Sequence, residues 1–248
     1  MKKVLKRLIL MIQFFTRIPV PVEIECDNED FGKGLVFAPL IGLMIGGLLL
    51  GSYSLLVLVF PVQVTVVFVV LIYIALTGGL HLDGLADTFD GLLSGRSRER
   101  MLEIMKDSRI GTFGVLALVG VILSYVVLLQ NMDKAILPMV FLLMPVAGRI
   151  GSLVSAGISS YAREEGLGKS FIDYCSVKEL IIGIVMSFII FYLFLGLHGV
   201  SIVYLVHMTA IVLTYMLTRK LKGATGDVLG AVCELNQLAF MLLAFFMM

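Results

Sequence analysis

The sequence predicts an all-helical bundle that crosses a membrane about seven times as one integral membrane domain spanning residues 1–248. Three observations carry that expectation. Hydrophobic residues make up 59% of the chain and charged residues 15%, against roughly 25% charge in a soluble domain. The apolar residues come in long runs: Gly34 to Thr77 and Gly111 to Met132 contain no charged residue. The charges that remain cluster between the runs, and a span needs about 20 mostly apolar residues.

The spans are expected at 35–59, 62–82, 112–130, 135–158, 180–197, 200–218 and 228–247. Short turns at Phe60-Pro61, Asn131 to Lys134 and Leu197 to Gly199 carry the proline, glycine and polar residues that turns require. At the N-terminus, Lys2, Lys3, Lys6 and Arg7 precede a short apolar run. Arg17, Pro19 and Pro21 follow it with no small-residue cleavage pattern, so a signal peptide is not expected. Residues 4–16 are instead expected to lie in the membrane interface as an amphipathic helix.

Of nineteen Lys and Arg residues, seventeen fall in the N-terminal segment or in the loops 83–110, 159–179 and 219–226. The exceptions are Lys134, in an opposite turn, and Arg149, inside a span. The positive-inside bias places the N-terminus and those loops in the cytoplasm and the C-terminus outside, in a plasma or inner membrane. A net charge of +1 offers no bulk attraction for nucleic acid. Cys26, Cys175 and Cys233 are far apart, have no metal-ligand spacing and are expected to be free thiols.

The strongest chemical signal is Asp83, Asp87 and Asp90, spaced to share one helical face. Stacked carboxylates repel, and a hard cation such as Mg²⁺ suits an all-oxygen site. Acids that merely cap a span end in water are the plainer alternative. His81, two residues earlier, reads equally as a hydrogen-bonded structural residue or as a base. Next, Arg96 to Arg109 alternates charges with Met101, Leu102, Ile104 and Met105, which predicts a short surface helix whose arginines anchor on headgroups or meet substrate. Lys106 and Arg109 precede a helix start at Ile110 to Thr112, a combination suited to phosphate. The segment Tyr161 to Lys169 reads as a solvated turn or a substrate loop. Asp227 could cap the last helix. Glu234 and Arg149 sit inside spans, where charge is expensive, so a mutual ion pair lining the inner end of a substrate cavity is expected.

Taken in order, the blocks Phe15–Pro21, Gly78–Asp87, Arg100–Thr112, Tyr161–Gly168 and Thr225–Asp227 resemble the cobalamin synthase family, membrane enzymes also called adenosylcobinamide-GDP ribazoletransferases. The resemblance runs nearly end to end. It implies that α-ribazole, or its 5′-phosphate, replaces GMP on adenosylcobinamide-GDP, with Mg²⁺ as cofactor and small corrinoid and ribazole molecules as partners. On this reading Asp83, Asp87, Asp90 and His81 are the expected catalytic residues, the three aspartates as metal ligands. Lys106, Arg109, Tyr161, Arg163, Glu165, Thr225 and Asp227, within the matching blocks, and Arg149 and Glu234, from their place inside spans, are the expected substrate contacts. A homo-oligomer, or association with other enzymes of the cobalamin pathway, stays open. A CDP-alcohol phosphotransferase is the nearest alternative, but its motif wants Arg where Asp87 stands. A cation transporter would put its acids at the bilayer midplane, not at one surface.

Overall fold

The computed structural model describes residues 3–247. The helices are α1 (Lys3–Phe15), α2 (Asn28–Gly34), α3 (Ala38–Leu56), α4 (Val62–Thr77), α5 (Leu80–Leu93), α6 (Arg98–Ile104), α7 (Thr112–Asn131), α8 (Leu137–Ile158), α9 (Leu167–Tyr174), α10 (Val177–Thr218) and α11 (Gly226–Met247). A 3₁₀ turn, Leu35–Phe37, joins α2 to α3. Among the described residues the only β pairing is an isolated parallel bridge between Tyr161 and Ala224.

Among the described residues, five helices can cross a membrane by length and apolar character, or six if the bent pair α4–α5 counts as one span. Seven were expected, and the difference lies in the bent elements. Residues 180–197 and 200–218 belong to α10, which breaks at Gly196, where φ is 58°. The chain doubles back there: the Ser187 hydroxyl lies 3.3 Å from His207 Nε2, and the Phe188 ring stacks on His207. The exterior suits lipid, with Leu116, Leu123, Leu193 and Tyr215 exposed.

The expected span 62–82 stops at Thr77. Gly78 and Gly79 both adopt left-handed backbone, φ 62° and 69°, which glycine reaches without steric cost. They turn α5 by 88° away from α4. Arg17 lies over this elbow, its N–H donating to the Leu76 carbonyl at 2.7 Å. Residues 83–93, expected as loop, are therefore helix. The surface helix expected over 96–109 is confined to α6, and two short helices, α2 and α9, were not anticipated.

α8 is enclosed by α3, α10 and α11. Small residues let backbones touch, the usual device where lipid offers no hydrophobic drive. A Cβ on Gly46 would stand 1.9 Å from the Leu142 carbonyl oxygen, and one on Gly151 would stand 2.8 Å from that of Val232. At one end, Arg98 donates to the Leu221 carbonyl at 2.6 Å and to the Ala162 carbonyl at 2.7 Å. The three charged loops expected on one side thus meet. α1 joins that end through Lys6 and Arg7, which bond Asp30 at 2.6 and 2.9 Å.

The glycine contacts make a stability prediction. Gly46→Ala should destabilise by about 1–3 kcal/mol through overpacking. Gly47→Ala, with nothing within 4 Å of the added carbon, should be neutral or stabilising by up to about 1 kcal/mol. Thermal unfolding in detergent reads both; equal effects would refute the tight α3–α8 contact.

Candidate active site

The site forms where α5 crosses α11. A Cβ on Gly84 would stand 2.7 Å from the Asp227 carbonyl oxygen, and one on Gly230 would stand 3.2 Å from the His81 Cα. This backbone approach sets Asp227 opposite Asp83 and Asp87, and Asp87 lies within electrostatic reach of Asp83, Asp227 and Arg163. Asp83 is exposed and Asp87 half-buried.

Asp90, expected to complete this trio, serves elsewhere. It is buried, and its two carboxylate oxygens accept from the N–H groups of Gly111 at 2.7 Å and Gly114 at 2.8 Å. It caps the N-terminus of α7, whose unpaired N–H groups attract an anion. Glycine is required at both positions, because a Cβ would stand about 2.5 Å from that carboxylate. The phosphate expected at this helix start, between Lys106 and Arg109, is thus replaced by a side chain of the protein itself. Arg109 points away, bonded to Asp107 at 2.7 Å and largely exposed. That ion pair and the Arg109 N–H hold the Asp107 carboxyl at about 2. Lys106 does reach the site's rim, in an open groove of about 580 Å³ that Arg163 also lines.

Two loops position the cation. The Ala162 N–H donates to the Ala224 carbonyl at 2.9 Å, and the Ala224 N–H donates to the Ser160 carbonyl at 2.8 Å. This pairing brings Arg163 to Asp227, N···O 2.8 Å. The Thr225 hydroxyl accepts from the Val228 N–H at 3.3 Å and donates to Asp227 at 3.2 Å. Thr225, not Asp227, therefore caps the start of α11. The Tyr161 hydroxyl donates to the Glu165 carbonyl at 3.2 Å, and burial pushes its phenol above the ordinary range. Glu165 contributes its backbone to that turn, and its side chain lines the open groove. Arg98, which clamps both loops, was legible only as a basic residue on a surface helix.

Arg149 and Glu234 are both fully buried, as expected, but they do not pair directly. Glu234 accepts from the hydroxyls of Tyr73 at 2.7 Å and Tyr125 at 2.8 Å. Arg149 reaches Tyr73 at 3.4 Å and the Cys233 sulfur at 3.8 Å. Tyrosine bridges the two charges, and neither lines the cavity beside Asp83. His81 Nδ1 lies 3.3 Å from that sulfur, while the ring borders the cavity. His81, Cys233 and Glu234 offer ligand atoms within 4.8 Å of one another. A cation does not fit there, because both Glu234 oxygens are engaged and a guanidinium adjoins the group. Asp83, Asp87 and Asp227 are oxygen donors of the kind a hard divalent ion takes, carried on two helices, and Arg163 forms a salt bridge with Asp227. The three cysteines are unpaired, as expected.

Asp90 and Asp83 should therefore behave oppositely. Asp90→Ala should cost about 1–3 kcal/mol for each buried N–H left unpaired. Asp83→Asn, at an exposed position among like charges, should change stability by less than about 0.5 kcal/mol. Denaturation midpoints of the two variants test this, and a stable Asp90→Ala protein would refute the capping role.

Comparisons with known proteins identify the family. The family model described as cobalamin-5-phosphate synthase matches residues 7–245. A protein named adenosylcobinamide-GDP ribazoletransferase from Clostridium acetobutylicum is 54% identical over 96% of this chain and 94% of its own length. One of the same name from Acetivibrio thermocellus is 53% identical over 97% and 98%. Another from Clostridium botulinum is 38% identical over 100% of both chains. No solved structure matches. The family match runs from within α1 into α11, and so the chain belongs to the cobalamin-5-phosphate synthase family.

Proposed function

We propose that this protein joins adenosylcobinamide-GDP to α-ribazole, or to its 5′-phosphate, with release of GMP, at the cytoplasmic face of the plasma membrane. The observation that carries the reading is the convergence of Asp83, Asp87 and Asp227 with Arg163 at the charged end of the bundle. In the reaction an acceptor ribose hydroxyl attacks the phosphorus that bears the cobinamide. A new P–O bond forms, the bond to the GMP oxygen breaks, and the hydroxyl proton leaves. Such transfers depend on positioning and on neutralising oxygen charge.

Asp83, Asp87 and Asp227 would hold Mg²⁺. When bound, that ion supplies the charge neutralisation that a pyrophosphate requires. Arg163, held against Asp227 at 2.8 Å, contacts phosphate oxygens on one side. Lys106 does so from the groove. A carboxylate of the cluster or His81 takes the acceptor proton. Arg98 and the Ala162–Ala224 pairing keep Arg163 in place and hold the loops together. A transporter reading loses its pathway, since Glu234 is locked between two tyrosine hydroxyls.

Purified protein given both substrates should release GMP only when Mg²⁺ is present. Asp87→Asn and Asp227→Asn should each lower turnover by ~100-fold or more, the scale for losing transition-state electrostatics. A wild-type protein that makes no GMP under these conditions, or full activity in both variants, would refute the reading.

The orientation follows from the Lys and Arg distribution. In a background with the exposed Cys26 replaced by Ser, Glu164→Cys should resist a membrane-impermeant thiol reagent in intact cells, whereas Lys134→Cys should react. The reverse pattern would invert the topology.

A further inference from the structure

We infer that the cavity beside Asp83 is the seat of the acceptor's aromatic base, a flat benzimidazole-type ring held against a phenylalanine wall; this rests on the transferase reading above. The cavity is small, about 210 Å³. That is below the roughly 300–1,000 Å³ of sites that take drug-sized ligands. It admits one flat ring system and excludes a corrin macrocycle.

Its two ends differ in chemistry. Asp83, Asp227, Arg163 and Tyr161 stand at one end. Phe14, Phe15 and Phe171 stand at the other, contributed by the interfacial helix α1 and by α9. Their rings touch one another: Phe171 lies 5.1 Å from Phe14 and 6.1 Å from Phe15, nearly parallel to the latter at 14°. Phe31 backs Phe171 at 4.7 Å, and the His81 ring continues the wall 5.5 Å from Phe15. A spacing of that kind makes a continuous aromatic surface against which a base can stack.

Two flat bases take part in the reaction, the ribazole base of the acceptor and the guanine of the donor. Guanine carries a carbonyl, a ring N–H and an exocyclic amine on its edges. Burial against phenylalanine and leucine would leave those groups unpaired, which a site does not tolerate. A benzimidazole has no exocyclic polar atom, and its ribose would extend toward the polar end, where the carboxylates stand. The mixed-charge groove that Arg163 also borders, lined by Glu99, Glu103, Glu164 and Glu165, has the polar partners that guanine edges need. Arg163 borders both spaces, so the two bases would approach the phosphates around one guanidinium.

The test uses the full chain in detergent with α-ribazole as probe. Phe14→Leu and Phe171→Leu should each raise the KM for α-ribazole about 10-fold, within the range for losing one base–aromatic contact. The KM for adenosylcobinamide-GDP should move by less than about 2-fold. Phe171→Tyr, which keeps the ring, should stay near wild type. The same order should appear when α-ribazole fluorescence is titrated with protein in the absence of donor and metal. A rise confined to the donor KM would assign the cavity to guanine and overturn the proposal, as would an unchanged acceptor KM. If the wild type releases no GMP but still binds α-ribazole in a Phe171-dependent way, the transferase reading falls and the cavity assignment stands. Normal GMP release with Phe-independent binding has the opposite meaning.

Discussion

Gly84 brings the backbone of α5 against the carbonyl of Asp227, and the charged end of the bundle is organised around that approach. Any side chain at this position would push the helices apart and separate Asp227 from Asp83 and Asp87. The 88° elbow at Gly78 and Gly79 makes the approach possible, because it lays α5 across α11 instead of continuing α4. Two glycine devices, one conformational and one steric, therefore stand upstream of the chemistry.

The same end puts one residue type in two different settings. Asp83 and Asp90 lie on the same helix, yet one is exposed and the other is buried with both oxygens bonded to the α7 backbone. The anion that α7 attracts is built in, which ties α5 to α7 and removes that helix start from the list of phosphate sites. Deeper in the bundle, Tyr73 and Tyr125 satisfy Glu234, and Tyr73 also meets Arg149. Buried charges left without such partners would be strongly destabilising. These tyrosines carry no signal in a sequence, since an apolar span with a tyrosine looks like any other.

Around the site the polar and aromatic surfaces divide the work. Arg163 is held by Asp227 and by a two-loop pairing, and Arg98 clamps both loops from α6. That guanidinium borders both a small cavity with a phenylalanine wall and an open groove rich in charge.

The all-helical membrane class and the meeting of the charged loops at one end were readable from the sequence, because each rests on local pattern: apolar run length and charge clustering. Helical spacing also put Asp90 with Asp83 and Asp87, since periodicity reports which face a residue occupies but not what packs on that face. Only the tertiary structure decided that α7 docks its N-terminus on Asp90, that tyrosines stand between Arg149 and Glu234, and that α1 and α9 supply an aromatic wall. Each of those outcomes depends on contacts between segments far apart in the chain, such as Tyr73 with Glu234 or Phe15 with Phe171. No local propensity encodes such a contact; it exists once packing has brought the two surfaces together.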